Sequence, residues 1–366
     1  MYIFAAIIIN KLYNKTKLKL FLISVFLLFI TIISNGQDRA MWATIWSSNT
    51  AAKIDNIINN ASINNFNKVF LQVRYRADAM YIPNRSDSAY QNNELRCYIL
   101  KDPTFDPLQY AIVKAKEKNI EIHAWVPIFV VTPHDLSKIS ETHIYNTHKE
   151  WLTYDQSGVV MAYNSHEGAF LDPGIPDVQN YTLDILRDIA SNYNIDGIQL
   201  DYIRYPDSLY GFNPIAIQNF KNSDTNNFAA WKQMQINSFV QKSFRMLKEI
   251  DTNIQVSAAV FGNQRKAIDM FSQNWKTWLN QNYIDKVYVM AYNTSDKSFT
   301  KVLQSISEVD KRKTNIVLRA WVDRGHYKVH QINNKIEISK KMNFVNFGFY
   351  SYSGLIKNNY ISRIKY

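Results

Sequence analysis

Eight short β-type runs, separated by stretches of helical periodicity, limit what this chain can fold into more than any other feature. The runs occupy 39–46, 68–75, 121–128, 197–204, 255–261, 286–292, 315–322 and 344–352. Between them apolar residues recur at helical spacing over 50–64, 107–118, 176–193, 227–250, 274–282, 299–311 and 329–342. Parallel strands need crossover connections, so this alternation implies a parallel sheet covered by helices. No glycine-rich phosphate loop follows the first run, which argues against an open dinucleotide-binding sheet. The predicted fold class is α/β: a single-domain (β/α)8 TIM barrel over 37–366.

The connections are lopsided. Helix-to-strand links are short (65–67, Asn119 alone, 194–196 and 251–254), whereas three strand-to-helix links are long: 76–106, 129–175 and 205–226. In a (β/α)8 barrel the strand-to-helix loops build the face that carries active sites. Long loops in a compact domain are usually functional. The working groups are therefore expected above strands 2, 3 and 4.

Ahead of the barrel, Lys11, Lys15, Lys17 and Lys19 precede an apolar run over 20–33, followed by Ser34, Asn35 and Gly36. A basic region, a short apolar region and a polar exit describe a secretory signal peptide over 1–36. The run is shorter than the roughly 20 residues a membrane span needs. No stable membrane insertion is expected after cleavage, and the expected location is periplasmic or extracellular. Losing those four lysines would lower the net charge from +11 to +7, an excess spread along the chain. That suits polyanionic surroundings such as an envelope, and no nucleic-acid motif is present. The single Cys97 cannot form an internal disulfide, so the fold relies on its core. The 23 Tyr and 8 Trp suit a groove for something both apolar-faced and hydroxylated.

Segment 196–206 is the most informative. Ile198, Leu200 and Tyr202 alternate with Gly197, Gln199 and Asp201, and side chains alternate across a strand. The apolar set suits the helix layer, which leaves Gln199 and Asp201 inside, Asp201 nearest the top. A carboxylate there is costly unless paired or hydrogen-bonded, and Arg74 and Arg204 are the expected partners. Inward parity at other strand ends gives Gln72 and Arg74, His123 and Trp125, Tyr292 and Asn293, Arg319, Trp321 and Asp323, then Tyr350 and Tyr352. Such a ring both hydrogen-bonds and stacks, as a sugar-binding floor does. Gln72, Arg74, His123, Trp125, Gln199, Arg204, Tyr205, Tyr292, Trp321 and Tyr350 are the candidate substrate-binding residues.

Glycoside hydrolysis needs two carboxyl groups. Asp201 is the first. Asp78 and Asp323 lead for the second, Asp172 follows, and Glu94 and Glu167 lie out in loops. Burial near Trp125 or Trp321 would raise the acid's pKa so that it carries a proton near neutrality. Other chemistries find less support. The pairs His326/His330 and His143/His148 lack an accompanying acid at zinc-site spacing. There is no Gly-x-Ser-x-Gly elbow and no P-loop. No metal and no cofactor is expected.

The chain also resembles a known family, the glycosyl-hydrolase-like family ten of bacterial envelope proteins. The motifs occur in order: Arg39-Ala40-Met41-Trp42, Phe70-Leu71-Gln72-Val73-Arg74, Arg76-Ala77-Asp78-Ala79-Met80-Tyr81, Asp106-Pro107-Leu108, His123-Ala124-Trp125, Leu171-Asp172-Pro173-Gly174, the 196–206 segment and Met290-Ala291-Tyr292. The resemblance implies a barrel outside the cytoplasm acting on glycans, its relatives including hydrolases of peptidoglycan strands stripped of peptides. It places Asp201 where related barrel hydrolases keep a strand-four aspartate, with Arg74, Asp78, His123 and Trp125 lining the cleft. Two departures stand out: Ala77 where the family often has Gly, and Val126-Pro127 where it often has Leu then Asn-Pro. The expected function is hydrolysis of an envelope, peptidoglycan-type polysaccharide by carboxylate acid/base chemistry. The alternative, prompted by the missing second acid, is a glycan-binding barrel without turnover.

Overall fold

The computed structural model describes residues 37–85, 91–322 and 328–366. Eight parallel strands close into a barrel: β1 (Arg39–Ala43), β2 (Lys68–Gln72), β3 (Glu121–Pro127), β4 (Gly197–Asp201), β5 (Gln255–Phe261), β6 (Lys286–Met290), β7 (Thr314–Arg319) and β8 (Phe347–Tyr350). Each pairs with its neighbours in sequence, and β8 returns to β1 through Arg39↔Phe347. The principal barrel helices are α1 (Ala51–Ile63), α2 (Pro107–Lys116), α3 (Pro176–Asn192), α4 (Phe228–Ile250), α5 (Trp275–Asn280), α6 (Asp296–Ser305), α7 (Val329–Lys341) and α8 (Tyr352–Lys357). The strand-to-helix loops carry the additions. Helices over Pro214–Lys221 and Gln264–Phe271 follow β4 and β5. A two-plus-two hairpin, Arg74–Tyr75 against Asp78–Ala79, follows β2.

Local chemistry explains the element ends. Proline opens α2 and α3, where its missing N–H costs nothing. Asp106 and Asn227 cap α2 and α4 by accepting from Gln109 N and Ala230 N. Two differences from the sequence reading share one cause. The runs predicted for strands two and eight extend to residues 75 and 352, but barrel pairing stops at Gln72 and Tyr350. A β-type run does not show where its neighbour stops offering partners.

Two apolar regions hold the barrel. The larger lies between strands and helices, and includes Val69, Leu71, Ile198, Leu200, Leu186 and Leu247. The smaller fills the bore: Ala40, Trp42, Phe70, Trp125, Tyr288 and Val317. Trp42 stacks on Phe70 with ring centres 4.5 Å apart, and Gly348 makes room for it, since a Cβ there would lie 2.5 Å from the Trp42 ring. Gly197 makes the same room for His123. Below the rings, Lys68 and Lys286 both pair with Asp38, and Lys68 and His123 with Glu121. The Lys68–Asp38 pair is buried on both sides; such a pair contributes little net energy, yet losing one partner is costly. The bore is packed, so any ligand must sit above it. No helix among the described residues is long and apolar enough to cross a membrane.

Candidate active site

Asp201 ends β4, paired with Pro127 at the end of β3. The chain turns there at once. Tyr202 takes a left-handed φ of +51°, a conformation costing a non-glycine residue roughly 1–3 kcal/mol and concentrated at functional sites. The turn aims Tyr202 N–H at Asp201 Oδ1 (2.7 Å), and Trp125 Nε1–H donates to Oδ2 (2.8 Å). Burial raises the Asp201 pKa above the usual carboxylate range, opposed by those two donors and by Arg204. Asp201 faces a cleft of about 490 Å³. Trp42 and Tyr288 lie in its floor, and Trp125, Tyr292 and Tyr350 in its walls. Trp321 braces those walls edge-on, 5.0 Å from Tyr292 and 5.9 Å from Tyr350. Flat aromatic faces beside a carboxylate suit sugar rings, apolar on their faces and hydroxylated at their edges.

A second carboxyl lines this cleft, and it is Glu167. The loop leaving β3 doubles back on itself to deliver it. Val131 N bonds Ala169 O and Leu171 N bonds Phe129 O, so 169–171 runs antiparallel beside 129–131. Gly168, at φ +127°, lies so close to Thr132 that a Cβ would meet its carbonyl at 2.1 Å. Glu167 therefore stands at the mouth of a tight return. Its Oε1 lies 3.6 Å from Arg204 Nη2, and its charge adds to the upward shift of Asp201. Sequence parity could not find Glu167, which belongs to no strand. The available signal was Glu-Gly just ahead of the buried run Ala169-Phe170-Leu171.

The other expected acids go elsewhere. Asp78 is buried in the hairpin, 4.0 Å from His143 Nε2. Burial and the neighbouring Glu94 push its carboxyl up to about 8, with Arg74 pulling the other way. Asp172 is fully buried, accepting from Thr153 and Gly174 N, and burial pushes it up to about 6. Neither lines the cleft. Asp323 lies outside the described residues.

The candidate binding residues also divide. Trp125, Arg204, Tyr292 and Tyr350 line the cleft. Arg204 has its guanidinium within 5.0–5.5 Å of the rings of Phe271, Tyr202, Phe261 and Phe170. Its Nη1 donates to Tyr205 O and Pro206 O. Gln199 faces inward as expected, but it lies deeper and accepts from Trp42 Nε1 (2.7 Å). Gln72 bonds backbone at Ile45 and Arg74. His123 is fully buried and turned to the opposite end, toward Glu121. Tyr205 is fully buried, its ring against Lys232. Arg74, the expected partner of Asp201, is sealed into a bond with Glu94 (Nε–Oε1 2.7 Å), and its Nη1 donates to the carbonyls of Pro127 and Ile128. Gln199, Gln72, His123, Tyr205 and Arg74 do not border the cleft. Parity places a side chain on a face of a strand, whereas depth along the barrel decides what it meets.

Residues 36–342 match the family described as Glycosyl hydrolase-like 10. The chain belongs to this family. It is 24% identical over 271 residues to "Glycosyl hydrolase YngK" of Bacillus subtilis, covering 68% of this chain and 50% of that protein. It is 27% identical over 152 residues to "Glycosyl hydrolase DigH" of Escherichia coli K12, covering 39% and 32%. The chain thus matches half or less of each curated relative's length. The barrel superposes on the glycoside hydrolase domain of PgaB (BpsB) from Bordetella bronchiseptica with a TM-score of 0.69 at 12% identity, over 90% of this chain and 98% of that one. The α-L-fucosidase isoenzyme 2 of Paenibacillus thiaminolyticus gives 0.64 at 11% identity, over 90% and 48%. At such identities the likeness is one of fold. Within the family setting, Ala77 sits at φ +65°, in the left-handed region that glycine fills without strain.

Proposed function

We propose that the protein hydrolyses O-glycosidic bonds in an envelope polysaccharide of the peptidoglycan glycan-strand type, outside the cytoplasm. One observation carries the reading: two carboxyl groups, Asp201 and Glu167, line one aromatic-walled cleft above the barrel. Family membership supports glycoside chemistry, and the basic-then-apolar opening of the chain supports export. The resemblance described above, rather than any contact in the cleft, supports the choice of glycan.

Asp201 is the nucleophile or the base, its two oxygens held by the Trp125 and Tyr202 donors. Glu167 is the acid. A sugar seated in the cleft would bring its glycosidic oxygen to Glu167, which lines the same cleft as Asp201. The acid's proton passes to the leaving oxygen as its bond to the anomeric carbon breaks, and Arg204 stabilises the carboxylate left behind. Water finally supplies hydroxyl to the anomeric carbon and returns the proton to the carboxyl pair.

The test uses residues 37–366 and peptide-free peptidoglycan strands, with soluble products read by mass spectrometry. The parent should release fragments, and Asp201→Asn should release them at least about 10³-fold more slowly. Equal release by both proteins would overturn the role of Asp201. Strand binding without fragments from either would favour the non-catalytic barrel.

A further inference from the structure

Arg76 occupies a place where an arginine is conformationally expensive. It and Ala77 are the two central residues of the hairpin turn, at φ +54° and +65°. Turns of this kind favour Asn-Gly, because both positions need the left-handed region. The carbonyl of Arg76 is held by His143 Nε2 at 2.8 Å. Its guanidinium lies 5.4 Å from the Tyr75 ring centre and 5.7 Å from that of Tyr202, the residue that follows Asp201 and lines the cleft. Arg74 and Arg204 each face a glutamate: Arg74 with Glu94 and Arg204 with Glu167. Arg76 has no ion pair among the described residues, and its buried Nε has no hydrogen-bond partner there.

We infer that Arg76, whose guanidinium stands beside the cleft-lining Tyr202 without itself lining the cleft, binds a carboxylate carried by the glycan, so that the cleft selects acidic sugar rings over neutral ones. The inference rests on the glycan reading of the cleft but not on turnover. The turn fixes the backbone, the two tyrosine rings flank the guanidinium, and the planar fork matches a carboxylate in a way a lysine does not. An arginine so held loses little freedom on binding. A left-handed turn that keeps an arginine instead of a glycine gives up stability, and binding is the return.

Calorimetry on residues 37–366 carrying Asp201→Asn separates this from catalysis. The probes are a peptide-free wall-glycan tetrasaccharide, whose lactyl groups carry carboxylates, and the same sugar with those groups reduced to alcohols. The acidic form should bind at least about tenfold more tightly, with the advantage shrinking as salt rises. Arg76→Gly should abolish that ratio while raising the thermal midpoint, since glycine relieves the turn; a loss of binding then cannot come from misfolding. Arg76→Lys should keep only part of the ratio. Equal binding of the two sugars, an unchanged ratio in Arg76→Gly, or no binding of either sugar would each overturn the inference. Hydrolysis by the Asp201 form is scored separately, so failure of the hydrolase reading leaves this result legible.

Discussion

Two clusters on the loop face are built from the same three residue types and serve opposite ends. Arg74, Glu94 and Tyr181 form one: the ion-paired side chains are each 1% exposed, and Tyr181 Oη donates to Glu94 at 2.5 Å. Arg204, Glu167 and Tyr202 form the other, where the arginine is 7% and the glutamate 45% exposed and the charges stand 3.6 Å apart. Burial works against the charge of Arg74, but Glu94 holds its pKa above the ordinary value, and its Nη1 donates to two carbonyls. Residue type says nothing about which cluster opens onto the cleft. What separates them is exposure: the first pair is sealed at 1% each, whereas the glutamate of the second stands 45% open beside the cleft.

The contrast can be broken at its glutamates. Glu94→Gln leaves Arg74 buried without its counter-charge, and should cost about 3–5 kcal/mol in urea unfolding. A loss under about 1 kcal/mol would show that the cluster does not hold the loops. Glu167→Gln should do the reverse: stability within about 1 kcal/mol of the parent, because an exposed pair contributes little, and kcat down about 10²-fold or more. If Glu167→Gln unfolds the protein while activity per folded molecule stays, the roles are exchanged. Asp78 sharpens the comparison, since it borders the sealed cluster and its carboxyl is pushed up to about 8. From its ordinary 3.8 up to that value, the folded protein holds a proton that the unfolded chain has released. Stability therefore falls as pH rises through this window. Asp78→Asn should match the parent near pH 4 and exceed it by a few degrees in thermal midpoint near pH 8, followed by calorimetry at each pH. A constant gap across the series would mean that Asp78 does not titrate there.

The barrel was legible because it is written in periodicity. Strand residues such as Ile198 and Leu200 alternate with Gln199 and Asp201, and short returns face long loops. Asp201 was legible for the same reason: one carboxylate among inward positions at a strand end. Glu167 was not, because a return held by Gly168 and Thr132 brings it to the cleft, and such pairings between distant loop segments leave no period. Arg74 misled in the opposite way. Its parity is that of an inward residue, but the hairpin after β2 turns it toward Glu94, 20 residues further on.

The guanidinium of Arg74 closes off the backbone where β3 ends, taking the carbonyls of Pro127 and Ile128. Past that point the chain enters its longest excursion, 129–175, which carries Glu167. The clamp acts as a firebreak. A change of loop length beyond it would move Glu167 and the cleft's rim without reaching the strand ladder, so the barrel and its mouth are mechanically separate parts.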